Sequence, residues 1–141
     1  DQPTLVISPA SSSPLRDWLP DRYAMVADYA IEMLDFQVIF SGGPGAREQR
    51  LVRTIQSKMN RQSVNLVGQM TLKESAALLA VADLLIAPDT GPVHIANALG
   101  TTVIGLYAAS NPRRTGPYNT LPWCVDCYAE AARKFKGHPS D

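Results

Sequence analysis

Residues 82–116 constrain the fold more than any other part of the sequence, because short apolar runs flank a turn and a helical segment. The run at 84–87, LLIA, is short and bounded by turn residues, which is typical of a buried strand. Residues 92–99 have the pattern of a helix, and Gly100 suits the position just past its C-terminus. A second apolar run at 103–107 predicts another strand. The segment therefore predicts strand, tight turn, helix and strand.

The turn between that first strand and the helix carries groups that suit an anion. Asp89 or Thr90 is a good N-cap, and Pro92 fits the first helical turn, where its missing N–H costs nothing. Gly91 lets a ligand approach the backbone closely. Free N–H groups and the helix dipole attract negative charge, Thr90 adds a hydroxyl, and His94 lies one turn along. A diphosphate would fit here; the alternative is an ordinary capped helix with a solvated or packed His94.

The rest of the chain repeats the alternation of strand and helix. Thr71 and Glu74 form a predicted capping box at the start of one helix. The other predicted elements are strands at 5–8, 36–40 and 64–67 and helices at 20–34, 46–59 and 129–136. Short connections between alternating elements predict a parallel sheet with helices on both faces, which is the doubly wound, Rossmann-like α/β fold. We expect one domain over residues 1–141.

Polar side chains follow the first two predicted strands. Ser11, Ser12 and Arg16 come after the first strand, and hydroxyls with a guanidinium suit a phosphate, although a flexible Ser-rich linker is the alternative. Glu48, beyond the second strand, is placed either to accept hydrogen bonds from a ribose or to complement the dipole of its own helix. Ligands of doubly wound sheets bind at the carboxyl ends of the strands, so we expect these groups to lie near the anion-binding turn.

The composition excludes several classes of function. The chain is 45% hydrophobic and 18% charged, so it can build a core. Thirteen basic residues balance thirteen acidic ones, which argues against nucleic acid or an anionic membrane surface as a partner. We see no membrane-span or signal-peptide pattern in the sequence. Because the chain begins with Asp1 and a strand follows almost at once, we expect it to be a piece of a longer protein.

Two cysteines form a single C-x-x-C motif, Cys124 and Cys127, close to the C-terminus. Two thiols supply half of a four-ligand zinc site, and His138 is a weak third candidate. The motif also lies in the wrong part of the chain for a thioredoxin-like redox site. We expect incidental, reduced cysteines, with a metal site completed by residues outside the chain as the alternative.

A long, ordered motif gives the sequence a family resemblance. The string DTGPVHIANALG at 89–100, then a strand, then NPRRTGP at 111–117, resembles the C-terminal signature of the ADP-heptose:lipopolysaccharide heptosyltransferases, glycosyltransferase family 9. The resemblance extends from about residue 6 to about residue 118. It implies the C-terminal, nucleotide-sugar-binding half of a two-domain GT-B glycosyltransferase, with the N-terminal acceptor domain outside this chain.

The resemblance also implies which residues contact the donor. A hydroxyl pair and a basic residue contact the donor in this family, and the family more often has Lys where this chain has Arg16. The counterpart of Met70 lies against the adenine ring, a role that suits a flexible thioether, with a buried core methionine as the alternative. The implied donor-binding residues are Ser11, Ser12, Arg16, Glu48, Met70, Asp89, Thr90, Gly91, Pro92 and His94.

The implied reaction moves a heptose from ADP-heptose to the lipopolysaccharide inner core with inversion at the anomeric carbon. The general base would lie on the N-terminal domain, so no catalytic residue is expected in this chain, and neither a metal nor another cofactor is required. The acceptor would be reached through that N-terminal domain. A cytoplasmic location is implied, with the full-length protein peripheral at the inner membrane.

Two alternatives remain open at this stage. One is another GT-B nucleotide-sugar enzyme, because the residues do not determine the base or the sugar. The other is a non-catalytic doubly wound nucleotide-binding module. A receiver-type domain is disfavoured, since such a domain needs a phosphorylatable Asp after its third strand and residues 68–70 here are Gly-Gln-Met.

Overall fold

A six-stranded parallel sheet forms the centre of the molecule. The computed structural model describes residues 2–108 and 111–136. The strands are β1 (Thr4–Ile7), β2 (Gln37–Phe40), β3 (Val64–Asn65), β4 (Leu84–Pro88), β5 (Val103–Tyr107) and β6 (Val125–Asp126). The helices are α1 (Pro20–Leu34), α2 (Ala46–Lys58), α3 (Leu72–Val81), α4 (Gly91–Leu99), α5 (Pro112–Thr115) and α6 (Tyr128–Lys136). Short 3-10 helices lie at Pro14–Arg16 and Tyr118–Trp123.

The strand order β3-β2-β1-β4-β5-β6 places the reversal of the sheet between β1 and β4. Strand β1 pairs in parallel with both neighbours, so that Val6 lies opposite Ile39 on one side and Leu85 on the other. This is the order of dinucleotide-binding folds, whose ligands bind at the carboxyl ends of the strands beside the reversal. The predicted doubly wound α/β fold is confirmed.

Apolar side chains on both faces of the central strands form two cores. Leu5 and Ile7 point to the face covered by α1 and α2, while Val6 between them points to the face covered by α3 and α4. All three are essentially fully buried. A strand buried on both faces needs a continuous apolar run, and this is why the central strands could be recognised from the sequence.

Most predicted element boundaries agree with the structure to within two residues. Helix α1 occupies the predicted residues, and the capping box at Thr71 and Glu74 is present, with both hydrogen bonds at 3.1 Å. Gly100 ends α4 with a φ of 79°, a conformation that suits glycine. Among the described residues, the helices are all too short or too polar to cross a membrane.

Helix α5, strand β6 and the two 3-10 helices were not predicted. The short helix α5 forms because the Asn111 side chain accepts a hydrogen bond from the Arg113 N–H at 3.0 Å and Pro112 occupies the first turn. Strand β6 has only two residues and both are exposed, so it has no apolar pattern. Strand β3 ends at Asn65, two residues earlier than predicted.

Strand β6 lies between the two cysteines and separates them. Three residues of extended chain span roughly 10 Å between Cα atoms, beyond the reach of a disulfide, and side chains three positions apart in a strand point to opposite faces. Both thiols are free, Cys124 half-buried and Cys127 exposed. Within residues 2–108 and 111–136 there is no cluster of three potential metal-ligating side chains, and the predicted third candidate His138 lies outside these residues.

We expect the two thiols to react independently in the folded chain. Iodoacetamide should label Cys127 first, because Cys127 is exposed whereas burial raises the pKa of the Cys124 thiol and so lowers its thiolate fraction. The two rates should converge in urea. Mass spectrometry of timed digests measures both rates, with Cys124→Ser as the control. An intramolecular disulfide formed readily under mild oxidation would contradict the separation imposed by β6.

Candidate functional site

A cleft of about 450 Å³ opens at the carboxyl ends of β1, β2 and β4, beside the reversal of strand order. Nine of the ten predicted donor-binding residues line it: Ser11, Ser12, Arg16, Glu48, Asp89, Thr90, Gly91, Pro92 and His94. Met70 does not line it. That residue is half-buried and precedes α3, beyond the edge strand β3. The structure thus brings the polar candidates together and leaves the predicted adenine contact outside the cleft.

The first turn of α4 forms one wall of the cleft. Thr90 is the N-cap residue, with extended backbone, but its side chain makes no capping hydrogen bond. The buried Thr90 Oγ1 has no hydrogen-bond partner among the described residues. Gly91 is exposed, and a Cβ built there would contact nothing within 4 Å. A helix N-terminus without a side-chain cap and with open space before it is suited to bind an anion.

Asp89 connects this turn to the neighbouring loop after β5. Its side chain is 12% exposed. One carboxylate oxygen lies 3.8 Å from Nε2 of the exposed His94, and the other accepts a hydrogen bond from Thr115 Oγ1 at 3.2 Å. Burial and the nearby Asp89 carboxylate together raise the pKa of Tyr107 above its usual value, so this phenol stays neutral at the base of the loop.

The Ser-rich loop after β1 forms the opposite wall. Ser11 is buried, and its hydroxyl lies 2.5 Å from the Ser13 carbonyl oxygen and 3.1 Å from Asp17 Oδ1. The Ser11 hydroxyl is therefore engaged within its own loop. Ser12 and Arg16 are exposed, and Arg16 has no ion-pair partner among the described residues. The 3-10 turn at Pro14–Arg16 brings the guanidinium to the cleft.

Two residues that the sequence analysis did not identify support this loop. The Arg47 guanidinium contacts the Asp17 carboxylate and the Ser11 carbonyl oxygen. A cation in the first turn of a helix opposes the helix dipole, so the position of Arg47 at the start of α2 was a possible signal. Its partner lies 30 residues away in the sequence, and no local pattern indicates it.

Glu48 closes the β2 side of the cleft. Its carboxylate accepts a hydrogen bond from the Gly43 N–H and covers the Gly42–Gly43 turn so closely that a Cβ at Gly42 would lie 2.9 Å from Oε2. Below this turn the hydroxyls of Ser8 and Ser41 are buried 2.5 Å apart. Glu48 thus stabilises its own turn and also presents carboxylate oxygens to the cleft.

A smaller, largely apolar pocket of about 190 Å³ adjoins the cleft at the ends of β5 and β6. Trp18, Leu106 and Tyr107 line it, and Arg16 lines both the pocket and the cleft. A ligand in the cleft would therefore have polar groups around its centre and an apolar wall beyond Arg16.

Comparison with known proteins matches nearly the whole chain to one family. The family model described as glycosyltransferase family 9 (heptosyltransferase) matches residues 1–139. The lipopolysaccharide core heptosyltransferase OpsX of Haemophilus influenzae is 45% identical over 136 residues, which are 96% of this chain and 39% of that protein. This chain thus spans about two fifths of that relative.

Solved structures also share the fold of this chain. A family 9 glycosyl transferase from Veillonella parvula matches with a TM-score of 0.79 and 25% identity, over 99% of this chain and 40% of that one. The Escherichia coli heptosyltransferase WaaC, solved with ADP, matches with a TM-score of 0.75 and 19% identity, over 92% and 39%. The predicted resemblance is confirmed. The chain belongs to glycosyltransferase family 9, the heptosyltransferases.

Proposed function

We propose that this chain is the donor-binding domain of a heptosyltransferase that moves a heptose from ADP-heptose to the lipopolysaccharide inner core with inversion. The observation that carries the proposal is the cleft itself. At the reversal of strand order, the N-terminus of α4, which has no side-chain cap, faces the same space as Arg16, which has no ion-pair partner among the described residues. Both features suit the diphosphate of a nucleotide sugar. Membership of the family and the name of the relative OpsX support the donor and the acceptor.

In the proposed reaction, this domain stabilises the leaving group. Cleavage of the sugar–phosphate bond leaves negative charge on the diphosphate. Arg16, the Thr90 hydroxyl and the backbone N–H groups after Asp89 would stabilise that charge. Positioned backbone donors need no reorganisation during the step, and the proposal requires neither a metal ion nor another cofactor for it. The general base that takes the acceptor's proton belongs to the proposed N-terminal domain.

The remaining proposed donor contacts lie at different positions along the edge of the sheet. Glu48 stands on the β2 side, where its carboxylate oxygens would accept hydrogen bonds from ribose hydroxyls. Met70, further along the sheet edge, is proposed for the adenine; to reach it, the base would have to extend past the cleft towards β3. Pro92 sets the first turn of α4 without adding an N–H that would need a partner.

The proposal extends to the whole protein. An N-terminal acceptor domain would complete a GT-B enzyme and bring the lipopolysaccharide core to the cleft. We propose a cytoplasmic location, with the full-length protein peripheral at the inner membrane. Neither a nucleic acid nor a membrane span enters the proposal.

Nucleotide titration tests the proposed donor. Isothermal titration of the 141-residue chain should show ADP binding more tightly than UDP or GDP, while assays with ADP-heptose and a lipid acceptor should give no product. Tighter binding of UDP or GDP would point instead to another GT-B nucleotide-sugar enzyme. Turnover by the chain alone would disprove the need for a second domain. Failure to bind any nucleotide would remove the donor-binding proposal.

Arg16→Ala should weaken ADP binding by roughly 1.5–3 kcal/mol, the range of a charge-assisted hydrogen bond. The substitution removes a cation from the cleft that has no ion-pair partner among the described residues. Arg22→Ala, at an exposed position on α1, is the matched control and should bind as the unaltered chain does. Titrations at two salt concentrations complete the test. If neither salt nor the substitution changes the affinity for ADP, Arg16 is a surface charge without a role in binding.

Gly91→Val should abolish ADP binding and leave the melting temperature nearly unchanged. Open space surrounds Gly91 in the folded chain, so the new side chain strains nothing there but occupies the approach to the α4 N-terminus. His94→Ala should weaken binding less, because the exposed imidazole is one contact among several.

The control for this pair is Ala98→Val, which adds a branched side chain at an exposed position near the other end of α4 and outside the cleft. Nucleotide titrations are run beside thermal melts of all three variants. A Gly91→Val chain that melts normally and still binds ADP would place the phosphates elsewhere.

A further inference from the structure

Arg47 does not line the cleft and instead contacts the loop after β1. It is the second residue of α2, immediately before Glu48, which does line the cleft. Its guanidinium instead donates to the Asp17 carboxylate from one nitrogen and to the Ser11 carbonyl oxygen from the other. The fork of the guanidinium therefore contacts the two ends of one loop.

Asp17 completes a closed set of polar contacts. Its side chain is 13% exposed, and Oδ1 accepts hydrogen bonds from the Ser11 backbone N–H at 2.9 Å and from the Ser11 hydroxyl at 3.1 Å. Ser11 is thus contacted from two sides. The carboxylate of Asp17 belongs to the last residue of the loop, and the guanidinium of Arg47 belongs to the neighbouring helix α2. Residues 12–16, which include the cleft residues Ser12 and Arg16, lie between these two ends.

We propose that Arg47 is a positioning residue, which together with Asp17 holds the loop at 11–17 in its anion-binding shape before the nucleotide arrives. The inference rests on the proposed nucleotide site. A loop that is ordered in advance does not lose conformational entropy on binding, so its affinity for the ligand is higher. The two arginines therefore have different roles. The charge of Arg47 is neutralised by Asp17, whereas Arg16 presents its charge to the cleft.

The first test measures ADP affinity of variants at position 47. Arg47→Met should raise the Kd for ADP roughly tenfold, the size expected when a charge-assisted contact that orders the loop is lost. The Kd of Arg47→Lys should lie between those of the unaltered chain and Arg47→Met, because an ammonium can pair with Asp17 but cannot also contact the Ser11 carbonyl oxygen. Arg50→Met, one turn along the exposed side of the same helix, is the matched control and should leave the Kd unchanged.

The second test needs no nucleotide. Hydrogen exchange of the ligand-free chain, followed by NMR, should show that the Ser11 and Ser13 amides are protected and that Arg47→Met accelerates their exchange. The amides of Val6 and Leu85 in the sheet should exchange as before, since a general loss of stability would accelerate them as well. Asp17→Asn should accelerate the same two loop amides, and adding it to Arg47→Met should produce little further change because both act on one set of contacts.

The outcomes separate the inference from the proposed function. If the unaltered chain binds no ADP, the donor-binding proposal fails, and the exchange rates still decide whether Arg47 orders the loop. If ADP binds and Arg47→Met leaves both the Kd and the loop exchange unchanged, the positioning role is wrong. Acceleration of the loop amides without a change in Kd would show that the order of this loop does not contribute to nucleotide binding, which would overturn the inference as well.

Discussion

The pairing of β1 with β4 is the constraint on which the rest of the structure depends. These strands are buried on both faces, and the ladder continues past Ile7 through a hydrogen bond from the Ser8 N–H to the Ile86 carbonyl oxygen at 3.1 Å. Because the strands are parallel and adjacent, the loops that follow them emerge side by side. The connections to their helices lie on opposite faces of the sheet, which leaves a gap between the loops. The cleft is a direct consequence of that topology.

The chemistry of the cleft follows from how each loop ends. The loop after β4 is short and opens directly onto α4, whose N-terminus supplies backbone donors with no side-chain cap. The loop after β1 is longer and presents a side-chain cation, Arg16, from a 3-10 turn. A long loop is costly to order. The contacts among Ser11, Asp17 and Arg47 offset that cost here, and they explain why a largely covered carboxylate lies beside a cleft that we propose for an anion.

The sequence predicted features whose determinants are local. Apolar runs identified five of the six strands, and cap residues such as Thr71 and Gly100 placed helix ends to within about a residue. The polar candidates at the sheet edge could be predicted because parallel topology alone brings strand ends together. Arg47 and Asp17 could not be paired in advance, since their contact depends on the packing of distant segments. Strand β6 has two exposed residues and pairs with β5, a neighbour that the local sequence does not reveal.

Two carboxylates line a cleft that we propose for a diphosphate, although carboxylates repel phosphates. Their placement keeps both carboxylates away from the position that we propose for the phosphates. Glu48 lies on the β2 side, with one oxygen directed at the Gly43 N–H, where neutral ribose hydroxyls rather than phosphates would be its neighbours. Asp89 is largely covered and directs its oxygens to Thr115 and towards His94. The backbone donors of α4 and the guanidinium of Arg16 then face the central space between them. An anion at that centre meets donors, and a nucleoside extending towards β2 meets acceptors. The polarity of the cleft is therefore complementary to that of the proposed nucleoside diphosphate, with acceptors where we place the hydroxyls of the ligand and donors where we place its negative charge.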